Sequence, residues 1–410
     1  MKFEWKEYTV QELIDLGLLE KPIDGNHGEI HPKASDYVDT GIPFIMANNI
    51  VNGVIDFVNC VFITEKQANT LKKGFAKPGD VLLTHKATIG RTAIVPDEYK
   101  TIILTPQVTY YRVKNGINNY YLKYYFDTPK FQTILNNWAG SGSTRAYLGI
   151  TAQCKLPIIL PSYNEQVKIS YILRVLDDKI ELNNKINANL EQQAQAIFKS
   201  WFVDFEPFGG TIPETWFMAK LGDIASIKTT SFSPAKNPDV ILEHYSIPAF
   251  DKNKYPVFEL AKEVKSNKYI LTSKSIMISK LNPNTKRVWR PMYLTEFAVS
   301  STEFIIFEAN NPIYKDFIYS IIDSVDFMDW MCAHTTGSTN SRQRTIPSTT
   351  LEFKVPIACD EIISEFCAIV SPMYDKISQN ICENQKLVKI RDTLLPKLMS
   401  GEIDVSDITI

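Results

Sequence analysis

DKIELNNKINANLEQQAQAIFKSWF (178–202), set above DKISQNICENQKLVKIRDTLLPKLM (375–399), decides the fold. The two stretches align without a gap at an offset of 197 residues. Asp178, Lys179 and Ile180 fall on Asp375, Lys376 and Ile377, Asn183 and Asn187 on Asn380 and Asn384, and Leu190 on Leu387. In the first copy Ile169, Leu173, Leu176, Ile180, Asn183, Asn187, Leu190, Ala194, Ile197 and Trp201 recur in alternating steps of four and three, the heptad seam of a coiled coil. The second copy keeps that seam from Phe366 to Leu398 and breaks it with one charge, Arg391, whose long stem can still cover apolar surface. From Ile169 to Trp201 such a helix runs about 48 Å at ~1.5 Å per residue. If the two helices are antiparallel, the middle of one meets the middle of the other, and Asn183 and Asn187 oppose Asn380 and Asn384. A slip would set each Asn against an aliphatic neighbour, so these four residues are assigned to helix register.

The repeat extends upstream. Gly142-Ser143-Thr144 resembles Gly337-Ser338-Thr339, and a Pro follows in each half, Pro157 and Pro356, closing a strand-like apolar run. The chain therefore divides into blocks at 1–160 and 207–358 and helical spacers at 161–206 and 359–410. Between turn signals the first block shows GIPFIM (41–46), GDVLLT (79–84), TAIV (92–95) and VTYYRV (108–113). KSIMISK (274–280) and STEFIIFE (301–308) play the same part in the second, and MAKLGDIASI (218–227) reads as a fresh start after a Pro-Gly link. The expected fold class is α+β: two mixed α/β domains, two long antiparallel helices forming a coiled coil, and an internal pseudo-two-fold repeat.

A length of 410 residues is too great for one ordinary core. No apolar run reaches the ~18 residues of a membrane span. The start MKFEWKEYTV lacks the apolar centre of a signal peptide, so a cytoplasmic location is expected. The six cysteines are scattered with no C-x-x-C pair, which speaks against a zinc site or a disulfide framework. The formal net charge of −2 does not by itself suggest a nucleic-acid binder. Counted by segment, residues 1–160 and 207–358 each carry 17 Lys+Arg against 15 Asp+Glu, while the helical segments are acidic.

DGNHGEIHPKASDYV (24–38), GIPFIMANNI (41–50), KPGDVLLTHKATIGRTAIV (77–95), AIFKSWFVDFEPF (196–208) and RDTLLPKLMSGEIDV (391–405) occur in this order. In these motifs the chain resembles the specificity subunits of type I restriction-modification enzymes. The second block matches least: KSIMISKLNPNTKR (274–287) lacks the GD and ATIG of its counterpart. The resemblance implies that each block is a target-recognition domain for one half of a split sequence in double-stranded DNA. It also implies that the helices set the unread gap and dock two methyltransferase subunits, with motor-nuclease subunits joining for cleavage. S-adenosylmethionine, ATP and magnesium are then expected only in partner subunits, with no cofactor, metal or catalytic residue in this chain.

Candidate DNA contacts follow from turn positions and cations. In the first block they are Lys33, Asn48, Asn49, Lys86, Thr88, Arg91 and Arg145. Paired Asn suits adenine edges but also ordinary turns, and Lys86 to Arg91 combines cations with small residues beside Gly90. In the second they are Lys280, Asn282, Lys286, Arg287, Arg342 and Arg344, with Arg290 and Trp289 in the same basic stretch. A charge run is more often a solvated face, so the clusters weigh more than any single residue. A methyltransferase reading finds only Asn311-Pro312-Ile313-Tyr314, which lacks the second Pro of the expected motif. A nuclease reading rests on Pro238-Asp239 with Glu263-Val264-Lys265, a loose pattern in a segment that the repeat already explains. The GxxxxGK[ST] phosphate loop of an ATP-driven motor is absent from the sequence.

Overall fold

Ser162 and Glu165 form a capping box: the Ser162 amide and hydroxyl donate to Glu165 Oε2 at 3.0 and 2.7 Å, and the Glu165 amide returns to Ser162 Oγ at 3.3 Å. The central helix that starts there runs over Tyr163–Phe202, 40 residues or about 60 Å. The C-terminal helix, Asp360–Met399, has the same length and stops where Gly401 takes a left-handed φ of +72° and the Glu402 amide reaches back to the Lys397 carbonyl at 3.0 Å. The computed structural model describes residues 5–140, 146–336 and 343–409. The chain packs as two units, Met1–Asp178 with Leu387–Ile410 (unit 1) and Lys179–Lys386 (unit 2), so each long helix supplies a stretch to both.

Within unit 2 the helices are antiparallel. Asn183 Nδ2 donates to Asn384 Oδ1 and Asn380 Nδ2 to Asn187 Oδ1, each at 2.8 Å, so rising numbers on one helix meet falling numbers on the other. All four Asn are buried. Asn384 Nδ2 also donates to Asn184 Oδ1 at 2.9 Å, and Asn183 Nδ2 to Glu383 Oε2 at 2.8 Å. Among the described residues Asn183 Oδ1 and Asn380 Oδ1 meet no donor, a cost of about 1–3 kcal/mol for each buried acceptor. The middle of the seam thus gives up stability for complementarity.

Towards the helix ends the buried stripe widens. Phe198 and Phe202 are buried beside Ala194, and Leu395 and Met399 beside Leu398, whereas Leu394 is only partly buried. A 3.6-residue helix drifts against a 3.5-residue repeat, and here the adjoining positions pack into the cores of the two units. Arg391 does more than cover apolar surface: its Nη1 pairs with Asp177 Oδ1 at 2.8 Å inside unit 1.

Each unit is built on the same three sheets. A two-stranded antiparallel pair closes each domain, Lys6–Thr9 with Pro157–Leu160 and Phe217–Lys220 with Lys354–Ile357. A four-stranded sheet has the order Thr88–Ile94, Val81–Lys86, Val108–Tyr111, Ile23–Asp24 in unit 1, and Val288–Trp289, Ile276–Ser279, Phe304–Ala309, Ala225–Lys228 in unit 2. The five-stranded sheets share a core order, Val61–Ile63, Ile42–Ile45, Ile102–Leu104, Phe75–Ala76 against Val257–Leu260, Ile241–Tyr245, Ala298–Ser300, Lys268–Ile270, with the middle pair parallel in each. The fifth strand differs: Tyr37–Val38 lies beside Val61–Ile63 in unit 1, while Ser231–Phe232 lies at the opposite edge, beside Lys268–Ile270, in unit 2. The apolar runs read from the sequence are strands of these sheets, and the α+β class with its repeat holds. No described helix is long and apolar enough to cross a membrane.

Candidate nucleic-acid interface

Backbone hydrogen bonds set the two units in residue-by-residue correspondence where the strand Val81–Lys86 leaves its sheet. In unit 1 the His85 amide donates to the Gln107 carbonyl, the Leu148 amide to the His85 carbonyl, and the Ala87 amide to the Ala146 carbonyl. In unit 2 Lys280 donates to Glu303, Thr345 to Lys280, and Asn282 to Gln343 in the same pattern. An isolated bridge follows in each, Lys86 with Tyr147 and Leu281 with Arg344. Ala87 and Asn282, at the same place, both adopt a left-handed φ, +65° and +51°. In unit 1 that turn pairs Thr88 back with Lys86 and leaves Lys86 and Ala87 exposed, whereas in unit 2 Leu281 and Asn282 are half-buried. Asn tolerates the conformation better than Ala.

In unit 1 this end is cationic and open. Lys86 is exposed, with Nζ 5.9 Å from the Tyr147 ring centroid, and Tyr147 is itself 48% exposed. Beneath them His85 is fully buried; its Nδ1 donates to the Leu148 carbonyl at 2.9 Å and its ring lies 5.6 Å from Tyr147. Burial holds the His85 imidazole below its ordinary range, opposed by the Leu148 hydrogen bond. Gln153 Nε2 donates to the same Leu148 carbonyl at 2.9 Å, so two buried side chains hold the segment that carries Tyr147. Thr88 is half-buried at the start of the next strand.

Strand direction brings a second group to this end. Ile23–Asp24 runs parallel to Val81–Lys86, both being antiparallel to Val108–Tyr111, so His27 leaves the sheet at the same end as Lys86. His27 Nε2 bonds Asp24 Oδ2 at 2.9 Å, and Lys73 Nζ pairs with the other oxygen. Burial pushes the Asp24 carboxyl up, but the hydrogen bonds from Lys73 and His27 hold it below the usual range. Gly25 of the DGNHG motif is required here, because a Cβ would sit 1.9 Å from the Leu104 carbonyl oxygen. His27, Lys73, Gln107 and Tyr147 were not singled out from sequence. Each reaches the site through strand order or a long-range turn, for which no local pattern exists.

Of the other unit 1 candidates, Asn48 is exposed and lies beside Arg91, whose Nη1 donates to the Ile50 carbonyl at 3.1 Å. Asn49 is corrected: it is buried, accepts from the Met46 amide at 2.9 Å and donates to the Asn59 carbonyl at 3.1 Å, so it closes a turn and cannot face a base. Lys33 is exposed at the start of the turn Ala34–Asp36, its amide donating to Asp36 Oδ2 at 2.8 Å. Arg145, like Arg342 and the two Gly-Ser-Thr runs, lies outside the described residues.

In unit 2 the equivalent end is ion-paired. Arg344 makes a two-pronged contact with Glu303 at 3.0 and 3.1 Å, Arg287 does the same with Asp251 at 2.6 and 2.9 Å, and Lys286 pairs with Asp323 at 2.7 Å. Lys280 is half-buried and Asn282 sits in the left-handed turn. Arg290 and Trp289 are removed from the surface. Trp289 belongs to the core, and Arg290 bonds Asp316 and Asp375 at 2.7 and 2.9 Å, tying the domain to the C-terminal helix. Among the described residues no group of three His, Cys, Asp or Glu side chains is placed to hold a metal ion.

Residues 3–192 match the family described as type I restriction modification DNA specificity domain. Over its whole length the chain is 28% identical to the type I restriction enzyme MjaIX specificity subunit of Methanocaldococcus jannaschii, covering 99% of that protein. Half of the chain is 27% identical to the HindI specificity subunit of Haemophilus influenzae, over 42% of the latter. In fold, 97% of the chain superposes on 96% of the crystal structure of a type I restriction-modification S subunit from M. genitalium, with a TM-score of 0.60 at 16% identity.

Proposed function

We propose that the chain is a specificity subunit of a type I restriction-modification enzyme, a non-catalytic DNA-recognition component, and that its two units read the two halves of a bipartite DNA target. The observation that carries this reading is the repetition of one sheet end, with the same backbone turn and different side chains, on an antiparallel helix pair. Phosphate contacts from Lys86, Lys33, Lys286 and Arg287 supply affinity, and side chains such as Asn48 and Gln107 supply base discrimination. Half-sites read from one side of a duplex lie about one helical turn apart, ~34–36 Å. A continuous 40-residue helix is stiff enough to hold such a spacing, and the four seam Asn fix its register.

In this reading the helices dock two methyltransferase subunits, and motor-nuclease subunits join that core. S-adenosylmethionine, ATP and magnesium belong to those partners, and the complex works in the cytoplasm. The test is methylome sequencing of cells that express the chain with its cognate partners. A split target with a constant gap is expected, and four residues inserted after Ala188, about one helical turn, should lengthen that gap. A gap unchanged by the insertion would show that the helices are not the ruler.

A further inference from the structure

Lys286 and Arg287 are neighbours in the basic loop of unit 2, and each is connected through other side chains to the central helix. Lys286 Nζ bonds Asp323 Oδ1 at 2.7 Å and the Asp323 carbonyl at 2.6 Å. The other carboxylate oxygen of Asp323 accepts from Gln195 Nε2, on the central helix, at 2.6 Å. Arg287 is gripped by both oxygens of Asp251, in the short helix Ile247–Asn253. Lys254, the residue that ends this helix with a φ of +52°, pairs with Glu191 Oε1 at 2.9 Å. Glu191 and Gln195 are four residues apart, one turn on the same face of the central helix. Two adjacent cations are thus referred, by separate routes, to one patch of that helix.

We infer that Asp323, Gln195, Asp251, Lys254 and Glu191 are positioning residues that register the phosphate-contacting groups of unit 2 to the central helix rather than to their own loop. An ammonium has three donors; two of Lys286's rest on Asp323, and the third is left for a phosphate oxygen. The Lys286 side chain is 41% exposed, while that of Asp323 is 13% exposed. Burial pushes the Asp323 carboxyl up and Lys286 and Gln195 draw it back, with Glu191 adding to the upward push. The carboxyl is therefore engaged from the loop and from the helix at once. A cation held this way moves with the helix, so a change of gap length displaces it from its phosphate.

The inference rests on the proposed reading and has its own test. Duplexes bound by the full-length chain with its partners are first selected from a random library. Affinity is then measured across salt concentrations on the selected duplex and on duplexes with the gap one base pair longer or shorter. Lys286→Ala should lower the slope of log K against log salt by about 0.9, the value of one lost phosphate contact. Asp323→Asn and Gln195→Ala should weaken binding to the natural gap about threefold to tenfold and shrink the penalty for the altered gaps. Asp323→Glu should restore part of that penalty.

If Asp323→Asn lowers only the melting temperature and leaves gap discrimination intact, the contacts are merely structural and the inference falls. An unchanged salt slope for Lys286→Ala also overturns it, with the reading of the chain untouched. A wild-type chain that selects no split target would overturn both.

Discussion

Gln107 in unit 1 and Glu303 in unit 2 occupy the same place in the same sheet, and one charge separates what happens around them. Gln107 lies across from His85, and the next residue, Lys86, stays exposed near the Tyr147 ring. Beside Glu303, the cation has moved to the opposite strand, as Arg344, and is held by both carboxylate oxygens. Two copies of one scaffold therefore present different surfaces, one with an exposed cation, the other with its charges matched. Backbone architecture can be duplicated while readout diverges, because the strand-end side chains point away from the core and packing does not constrain them.

The largest expected effect is at the open end. Lys86→Glu should lower affinity for the selected duplex about thirtyfold, about 2 kcal/mol. The salt slope should fall with it, as read by fluorescence anisotropy titrations. An unchanged affinity would remove this end of unit 1 from the interface and dissolve the comparison.

A smaller effect concerns what lies beneath. His85 is buried and neutral, and Lys280 stands in its place in unit 2. Its folded-state pKa is depressed below the unfolded value of ~6.5, so its contribution to stability is complete above that pH and is lost as pH falls below it. Melting curves should show a shallower acid-side loss of stability in His85→Gln than in the parent chain. His244, half-buried and held low by desolvation against the opposing hydrogen bond of Glu259, leaves a background that this variant does not remove.

The smallest effect sharpens the comparison most. Gln107→Glu should draw Lys86 into a pair as in unit 2 and weaken DNA binding about threefold, since an exposed ion pair is worth ~0–1 kcal/mol. Glu303→Gln should release Arg344 and strengthen binding by a similar factor, with a steeper salt dependence. Shifts of the same sign in both variants would show that the two ends are not equivalent readers.

Asn183 and Asn380 were legible in the sequence because a heptad seam is periodic, and a polar residue inside it stands out against its neighbours. Lys86 and Arg91 were legible as cations beside a turn. Asn49 was misread, because a turn Asn that faces solvent and one that caps its own turn have the same local pattern. Tyr147 was missed because its position depends on a backbone bridge to Lys86, some 60 residues earlier in the chain.

What the amino-acid sequence determined alone is the repeat, the long helices with their antiparallel-compatible Asn layer, and the strands of each domain, all set by periodic burial along one stretch of chain. Only the tertiary structure decided which of the described cations are exposed and which pair with carboxylates, that Gln107 matches Glu303, and that Lys286 and Arg287 lead to Gln195 and Glu191. Those facts are distances between residues far apart in sequence, and charge pairing, unlike hydrophobic periodicity, leaves no local trace.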